Sequence, residues 1–197
     1  MKTFLISASL ISASLAALAT PAVAGTRWDD ELAAQAGTPV RVDEVRLGEE
    51  LAAHVEDIGQ RDLDRLLEEL RSDVEAQLAE RGLLADEGDA DAAELDLTLV
   101  MATPNRPTFE QLSGRGDWGW DRPGVRPLSQ YLSLSSFGLG NVEVTGVFTG
   151  ADGAALGEVN YRYEEDDLRQ AAFAATWTDA HRGIDMFANR LAETVAE

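Results

Sequence analysis

The sequence predicts an α/β fold, more closely an α+β two-layer sandwich in the order β-α-β-(long loop)-β-β-α. Three observations carry that expectation. Residues 62–82 place leucine or valine at steps of three and four, the spacing of one helix face. Residues 95–103, 142–148 and 158–163 alternate apolar and polar side chains, the spacing of half-buried strands. Ile184, Phe187, Leu191 and Val195 return to helical spacing near the C-terminus. Two amphipathic helices on one face of a mixed sheet satisfy all three.

The chain opens with "MKTFLISASLISASLAALATPAVAGT". One lysine precedes an apolar run from Phe4 to Ala19, Pro21 breaks it, and Ala22-Val23-Ala24 has the small-x-small pattern of a cleavage site. These are the three parts of a secretory signal, with cleavage expected after Ala24. The run is shorter than the ~20 residues of a membrane span, so a transmembrane anchor fits less well. The mature chain is expected to be soluble, without a transmembrane segment, in the periplasm or outside the cell.

The chain has no cysteine. That excludes disulfides, thiolate metal ligands, cysteine nucleophiles and a lipid-modified cysteine. About 170 residues follow the signal, enough for one domain with a sizeable core. The formal net charge is −20, and Lys2 in the signal is the sole lysine. So negative a surface repels phosphate backbones and anionic lipid, which excludes nucleic acid as a main partner.

Residues 25–38 read as an N-terminal arm, and 39–197 as a single domain. Pro39 suits the first position of a strand whose apolar residues are Val40, Val42 and Val45. The helix that follows has its stripe at 63, 66, 67, 70, 74 and 78. Asp62 is the expected N-cap, and Gly82 stands where a left-handed residue closes a helix. "GEELAAHVEDI" also tolerates helix, so Gly59 is expected to mark a kink or break. Asp86, Glu87, Asp89 and Asp91 make an acidic turn, but their spacing does not match a calcium-binding loop. In "LDLTLVMAT", Leu95, Leu97, Leu99 and Met101 are expected on one face, with Asp96 and Thr98 on the other. Joined through a helix, this strand and the first should lie parallel with a right-handed crossover.

Four of the six prolines fall between 104 and 135, which reads as a long loop. Next come two strands around Asp152-Gly153, a tight-turn signal. In them Val142, Val144 and Phe148, then Val159, Tyr161 and Tyr163, face inward. Thr178 or Asp179 is the expected cap of the last helix, whose apolar side is Ile184, Phe187, Leu191 and Val195. Trp177 is expected to pack on that helix's first turns. The sheet's second face is partly polar and is expected to meet solvent, the long loop or a partner.

Three stretches together, "LTLVMATPNRP", "FGLGNVEVTGVFTGADGAALGEV" and "WTDAHRGIDMFANRLAETV", resemble uncharacterised bacterial envelope proteins, many of them lipoproteins, grouped as domains of unknown function. The likeness spans roughly residues 39–195. It implies a small mixed α/β domain in the cell envelope, without an assigned activity. The chain lacks the cysteine of the lipoprotein members.

No motif specifies a reaction, so no catalytic residue, metal ligand or cofactor is assigned. His54 and His181 read as surface residues. "LSLSSFG" is not the strained elbow of a serine nucleophile. "GLGNVEVTG" fails the dinucleotide fingerprint. The candidate binding surface is the loop around "GRGDWGWDRPG". Trp118 and Trp120 would supply flat apolar area, and Arg106, Arg115, Arg122 and Arg126 directed donors. Asp117 and Asp121 would pair with those donors, and Tyr131 completes the set. An envelope protein or glycan would suit such a site. The competing reading has both tryptophans fold back as a lid over the sheet. The alternative function is a secreted hydrolase using a carboxylate pair near the same loop.

Overall fold

The computed structural model describes residues 26–30, 32, 37–86, 88–106, 140–165 and 175–197. The signal segment and residues 107–139 lie outside them. Among the described residues, a five-stranded mixed sheet and four helices make the two-layer α/β arrangement. The strands are β1 (Arg27–Asp30), β2 (Val40–Leu47), β3 (Ala93–Thr103), β4 (Asn141–Thr149) and β5 (Ala155–Glu164). The helices are α1 (Glu49–Ala53), α2 (Val55–Ile58), α3 (Gln60–Glu80) and α4 (Thr178–Ala196). The sheet order is β1-β5-β4-β3-β2. β2 and β3 are parallel, as a helical connection requires, and the other pairs are antiparallel.

The core gathers on one face of the sheet. Leu63, Leu70, Leu97, Leu99, Phe187 and Leu191 are all 0 % exposed and belong to one apolar cluster. Leu66, Val74 and Leu78 complete the buried stripe of α3, with Leu67 half-buried beside it. Burying each such side chain contributes about 1.5–3 kcal/mol. Since no cysteine is present, this burial holds the fold without disulfides.

Local chemistry sets the element ends. Gly59, at φ 107°, separates α2 from α3, the expected break. Gly82, at φ 69°, closes α3: Gly82 N–H donates to Ala79 and Leu83 N–H to Leu78, the paired bonds of a Schellman motif. The β4–β5 turn bonds Gly150 N–H to Ala154, and Asp152 Oδ1 accepts from Ala154 N–H at 3.0 Å.

Four sequence expectations change. Within the stretch read as an N-terminal arm, Arg27–Asp30 forms an edge strand antiparallel to β5. Trp28 holds it there, its ring 6.0 Å from both Tyr161 and Phe187, with the Arg190 guanidinium 5.8 Å above it. Secondly, Met101 does not join Leu95, Leu97 and Leu99. The pairing with β4 shifts between Leu99 and Met101, so Met101 stands opposite Glu143 and Ala102 takes the core position opposite Val142. One extra residue in a strand reverses the faces of everything after it. Thirdly, Asp62 is not a cap: α3 starts at Gln60, and Asp62 Oδ2 accepts from the Trp177 indole N–H at 3.1 Å. Finally, neither Thr178 nor Asp179 caps α4. Trp177 occupies the cap position, 8 % exposed, so its ring also docks the start of α4 onto α3. Thr178 Oγ1 accepts from Ala175 N–H.

The second face is polar. Arg27, Asp29, Asn160, Arg162 and Glu143 line a shallow depression of about 240 Å³ across β1, β5 and β4. Thr145 Oγ1 donates to Asn160, and Arg41 pairs with Glu94 at 2.8 Å. The edge of β2 is capped from α3, where Arg71 donates to the Val42 and Asp43 carbonyls, each at 2.9 Å. A charged side chain on a sheet edge opposes pairing with another chain.

Two predictions follow from the packing. A Cβ at Gly183 of α4 would lie 2.2 Å from Val142 Cγ1 and 3.1 Å from Tyr163 Cβ. Helix propensity favours Gly183→Ala by ~1 kcal/mol. Overpacking a stiff, fully buried valine costs more, so a net loss of about 2 kcal/mol is expected in urea unfolding. Tyr161 is 2 % exposed, and burial pushes its hydroxyl from 10.0 up to about 12. The hydroxyl faces the Thr26 side chain without a hydrogen bond of full geometry. An unfolded chain releases this proton near 10, the folded chain only near 12, so stability is full below pH 10 and falls between these values. The fall is on the order of 2 kcal/mol. Tyr161→Phe should keep stability at neutral pH and flatten most of that decline in denaturant titrations. Burial also raises Tyr163, which accounts for the remainder.

Candidate functional site

β3 ends, β4 begins and β5 ends at one end of the sheet, where Thr103 stands opposite Asn141 and Asn141 opposite Glu164. Residues 107–139 leave and re-enter the described structure there. The base of that segment is a buried polar bracket. Asn105 is 1 % exposed and Asp179 3 %. Asn105 Nδ2 and Gly140 N–H both donate to Asp179 Oδ2, the latter at 3.0 Å. Asn105 Oδ1 accepts from Asp179 N–H at 3.0 Å, and Asn105 N–H donates to the Thr176 carbonyl at 2.7 Å. One carboxylate in the first turn of α4 therefore holds both ends of the long segment. The helix start favours its charge, and the fixed donors offset the cost of burying it. Glycine at 140 makes the approach possible, since a Cβ there would lie 2.7 Å from Asp179 Cβ.

Glu165 continues the bracket. Its N–H donates to the Gly140 carbonyl at 3.2 Å. Its carboxylate, almost wholly buried, accepts from the Tyr163 hydroxyl at 3.0 Å and from Arg182 at 3.2 Å. Burial raises Tyr163; the Arg182 contact lowers it and the Glu165 carboxylate raises it further. Asn141 Oδ1, at the same end of the sheet, is buried without a hydrogen-bond partner among the described residues.

Of the nine candidate binding residues, the structure places one. Arg106 is exposed and directly follows the buried Asn105. Arg115, Asp117, Trp118, Trp120, Asp121, Arg122, Arg126 and Tyr131 lie outside the described residues. Sequence reasoning missed Asn105, Gly140 and Asp179 as a unit. Asn105 stands between two prolines and Gly140 in a glycine-rich entry to a strand, which reads as turn chemistry; Asp179 reads as a helix cap. Only a long-range contact unites them.

The two histidines have exposed side chains, at 59 % for His54 and 48 % for His181. His181 bonds to Glu69, bridging α4 to α3. Burial raises Glu69 and Asp73, His181 pulls both back, and Asp185 pushes both up. Among the described residues, no cluster of three or more His, Asp or Glu side chains is arranged to hold a metal ion. No described helix is long and apolar enough to cross a membrane. A groove of about 340 Å³ opens next to the bracket, between α1–α2 and the end of β3, and reaches Thr103 and Pro104.

No protein-family model and no curated protein matches the chain. Among solved structures, the chain is similar to PelC from Paraburkholderia phytofirmans. A dodecamer of a PelC variant, in space group C2, shares 13 % identity across 89 % of this chain and 100 % of that one, with a TM-score of 0.44. A PelC dodecamer in space group P6 shares 12 % identity across 85 % of this chain and 96 % of that one, with a TM-score of 0.36.

The bracket yields a test. Asn105→Ala removes one donor to Asp179 and the acceptor for the Asp179 N–H, both in a buried setting. A loss of about 2–4 kcal/mol is expected. Asn189→Ala, at an exposed asparagine on α4, should stay within about 0.5 kcal/mol. Urea midpoints of the two variants make the comparison.

Proposed function

We propose that this chain is a non-enzymatic, extracytoplasmic binding domain of the envelope class its sequence resembles. It captures an envelope protein or glycan through the 104–131 loop, with Trp118 and Trp120 as apolar anchors and Arg106, Arg115, Arg122 and Arg126 as donors. The observation that carries this reading is the Asn105–Asp179–Gly140 bracket. A connection needing only to join two strands has no use for a buried carboxylate fixing both its ends to a helix. A connection that must present side chains to a partner does, because precision at a recognition surface comes from the rigid elements beneath it.

Among the described residues, the two buried carboxylates beside Asn105 and Gly140 support binding over catalysis. Asp179 Oδ2 accepts from two fixed donors, and Glu165 Oε2 from Tyr163 and Arg182. A general acid or base must exchange its proton with a substrate, and groups engaged this way act as braces. The aromatic pair and directed arginines are the residue types that dominate binding energy at interfaces.

The double substitution Trp118→Ala/Trp120→Ala tests the reading. Immobilised protein should lose at least ten-fold in capture of its envelope partner, with the thermal midpoint unchanged within a few degrees. Undiminished capture by the folded double variant would remove the loop from the function.

A further inference from the structure

α3 and α4 lie side by side and run parallel, so their facing polar side chains meet in rungs. Residues at i and i+4 share a helix face, which sets Glu69 and Asp73 opposite His181 and Asp185. Near the start of α4, His181 Nδ1 bonds to Glu69. One turn further, Asp73 and Asp185 come within each other's repulsion. Towards the far end, Arg81 answers the seam: it donates to Gln77 Oε1 and to Asn189 Oδ1, each at 2.7 Å, and lies 3.8 Å from Glu193.

The two ends therefore carry different cations. An arginine keeps its charge throughout the working range of pH. A histidine changes its charge between about pH 5 and 8. The charges acting on Glu69 are His181, Asp73 and Asp185, and those acting on Asp73 are Asp185 and His181. One titrating cation thus faces three carboxylates. Arg182, next to it in the chain, turns away to the Tyr163 hydroxyl and Glu165 beyond β5, and Arg71 of α3 turns to the β2 carbonyls. Asp62 and Asp179 are engaged with Trp177 and with the Asn105–Gly140 bracket. From the sheet, Tyr161 acts on Asp185 and is uncharged over this range.

While the imidazole is charged, it offsets one of the three negative charges and ties Glu69 to α4. Once it is neutral, the carboxylates face one another with no cation between them. Burial raises Glu69 and Asp73, so the folded seam also holds their protons longer than the unfolded chain does. Both effects have the same sign: closure is favoured on the acid side and weakens as pH rises.

We propose that His181 is a pH-dependent latch on the start of α4. Charged, it holds the first two turns of that helix against α3; neutral, it lets them loosen, while Arg81 keeps the far end closed. The turns that loosen carry Trp177, which docks on Asp62, and Asp179, the carboxylate of the bracket. The latch therefore sets how firmly Asn105 and Gly140 are held, whatever the loop between them binds.

Amide hydrogen exchange of the purified chain at pH 6 and pH 8, corrected for the intrinsic rate at each pH, tests this. Protection of residues 181–185 should fall at least five-fold from pH 6 to pH 8, and that of residues 189–195 less than two-fold. His181→Arg, which keeps a charge at both pH values, should hold protection of 181–185 constant within two-fold. Asp185→Asn, which leaves the histidine and removes a repelling carboxylate, should at least halve the fall. The chain has two histidines, so a His54→Gln spectrum assigns the His181 ring signal, and loss of protection should follow the titration of that signal. Equal protection of 181–185 at the two pH values overturns the proposal. A fall of the same size in 189–195 would reflect the chain's overall charge, and overturns it too. So does a fall that persists undiminished in Asp185→Asn or in folded His181→Arg.

Discussion

With no cysteine in the chain, the two long helices are held to the sheet by close packing, and Gly183 of α4 lets that helix come close to Val142 and Tyr163. A helix that approaches so closely can bury Ile184, Phe187 and Leu191 completely and still leave its first turn over the end of the sheet. That placement brings Asp179 within reach of Asn105 and Gly140. It also sets Trp177 between α4 and the start of α3, where the indole finds Asp62. The core and the loop bracket are thus one arrangement: the depth to which α4 sinks fixes where its first carboxylate falls.

Parity along β3 is the second constraint. Leu95, Leu97 and Leu99 face the helices by simple alternation. The added residue before Met101 reverses the pattern, sends Met101 to the polar face and turns Ala102 inward. Ala102 is small, so the end of the strand offers a shallow apolar floor where another leucine would have filled it. The same region lies beyond the last paired residue of β2. A bulge near a strand end re-aims side chains and terminates pairing together, which is why such features concentrate at functional edges.

The polar sheet face and the loop end differ in how their charges are used. Across the open face, the half-buried Arg41–Glu94 ion pair still meets water, and such pairs contribute ~0–1 kcal/mol. At the loop end, Asp179 and Glu165 are buried, and each is answered by fixed donors. Burial raises the cost of a missing partner and so makes geometry strict. Rigid presentation of the 104–131 loop, as proposed, draws on that strictness and not on the abundance of charge.

Sequence by itself determined what depends on near neighbours. The stripe of α3, its glycine closure at Gly82, the Asp152-Gly153 turn and the inward faces of β4 and β5 are properties of residues a few positions apart. Periodicity and φ preference suffice to read them. Tertiary structure alone decided the rest. Trp28 makes Arg27–Asp30 a strand only because Tyr161 and Phe187 meet it from distant parts of the chain. Asp62 and Asp179 look like helix caps, yet both carboxylates serve partners more than seventy residues away. A short polar side chain is suited to local and distant bonds alike. Which it makes is set by the partner that packing carries within about 3 Å of it.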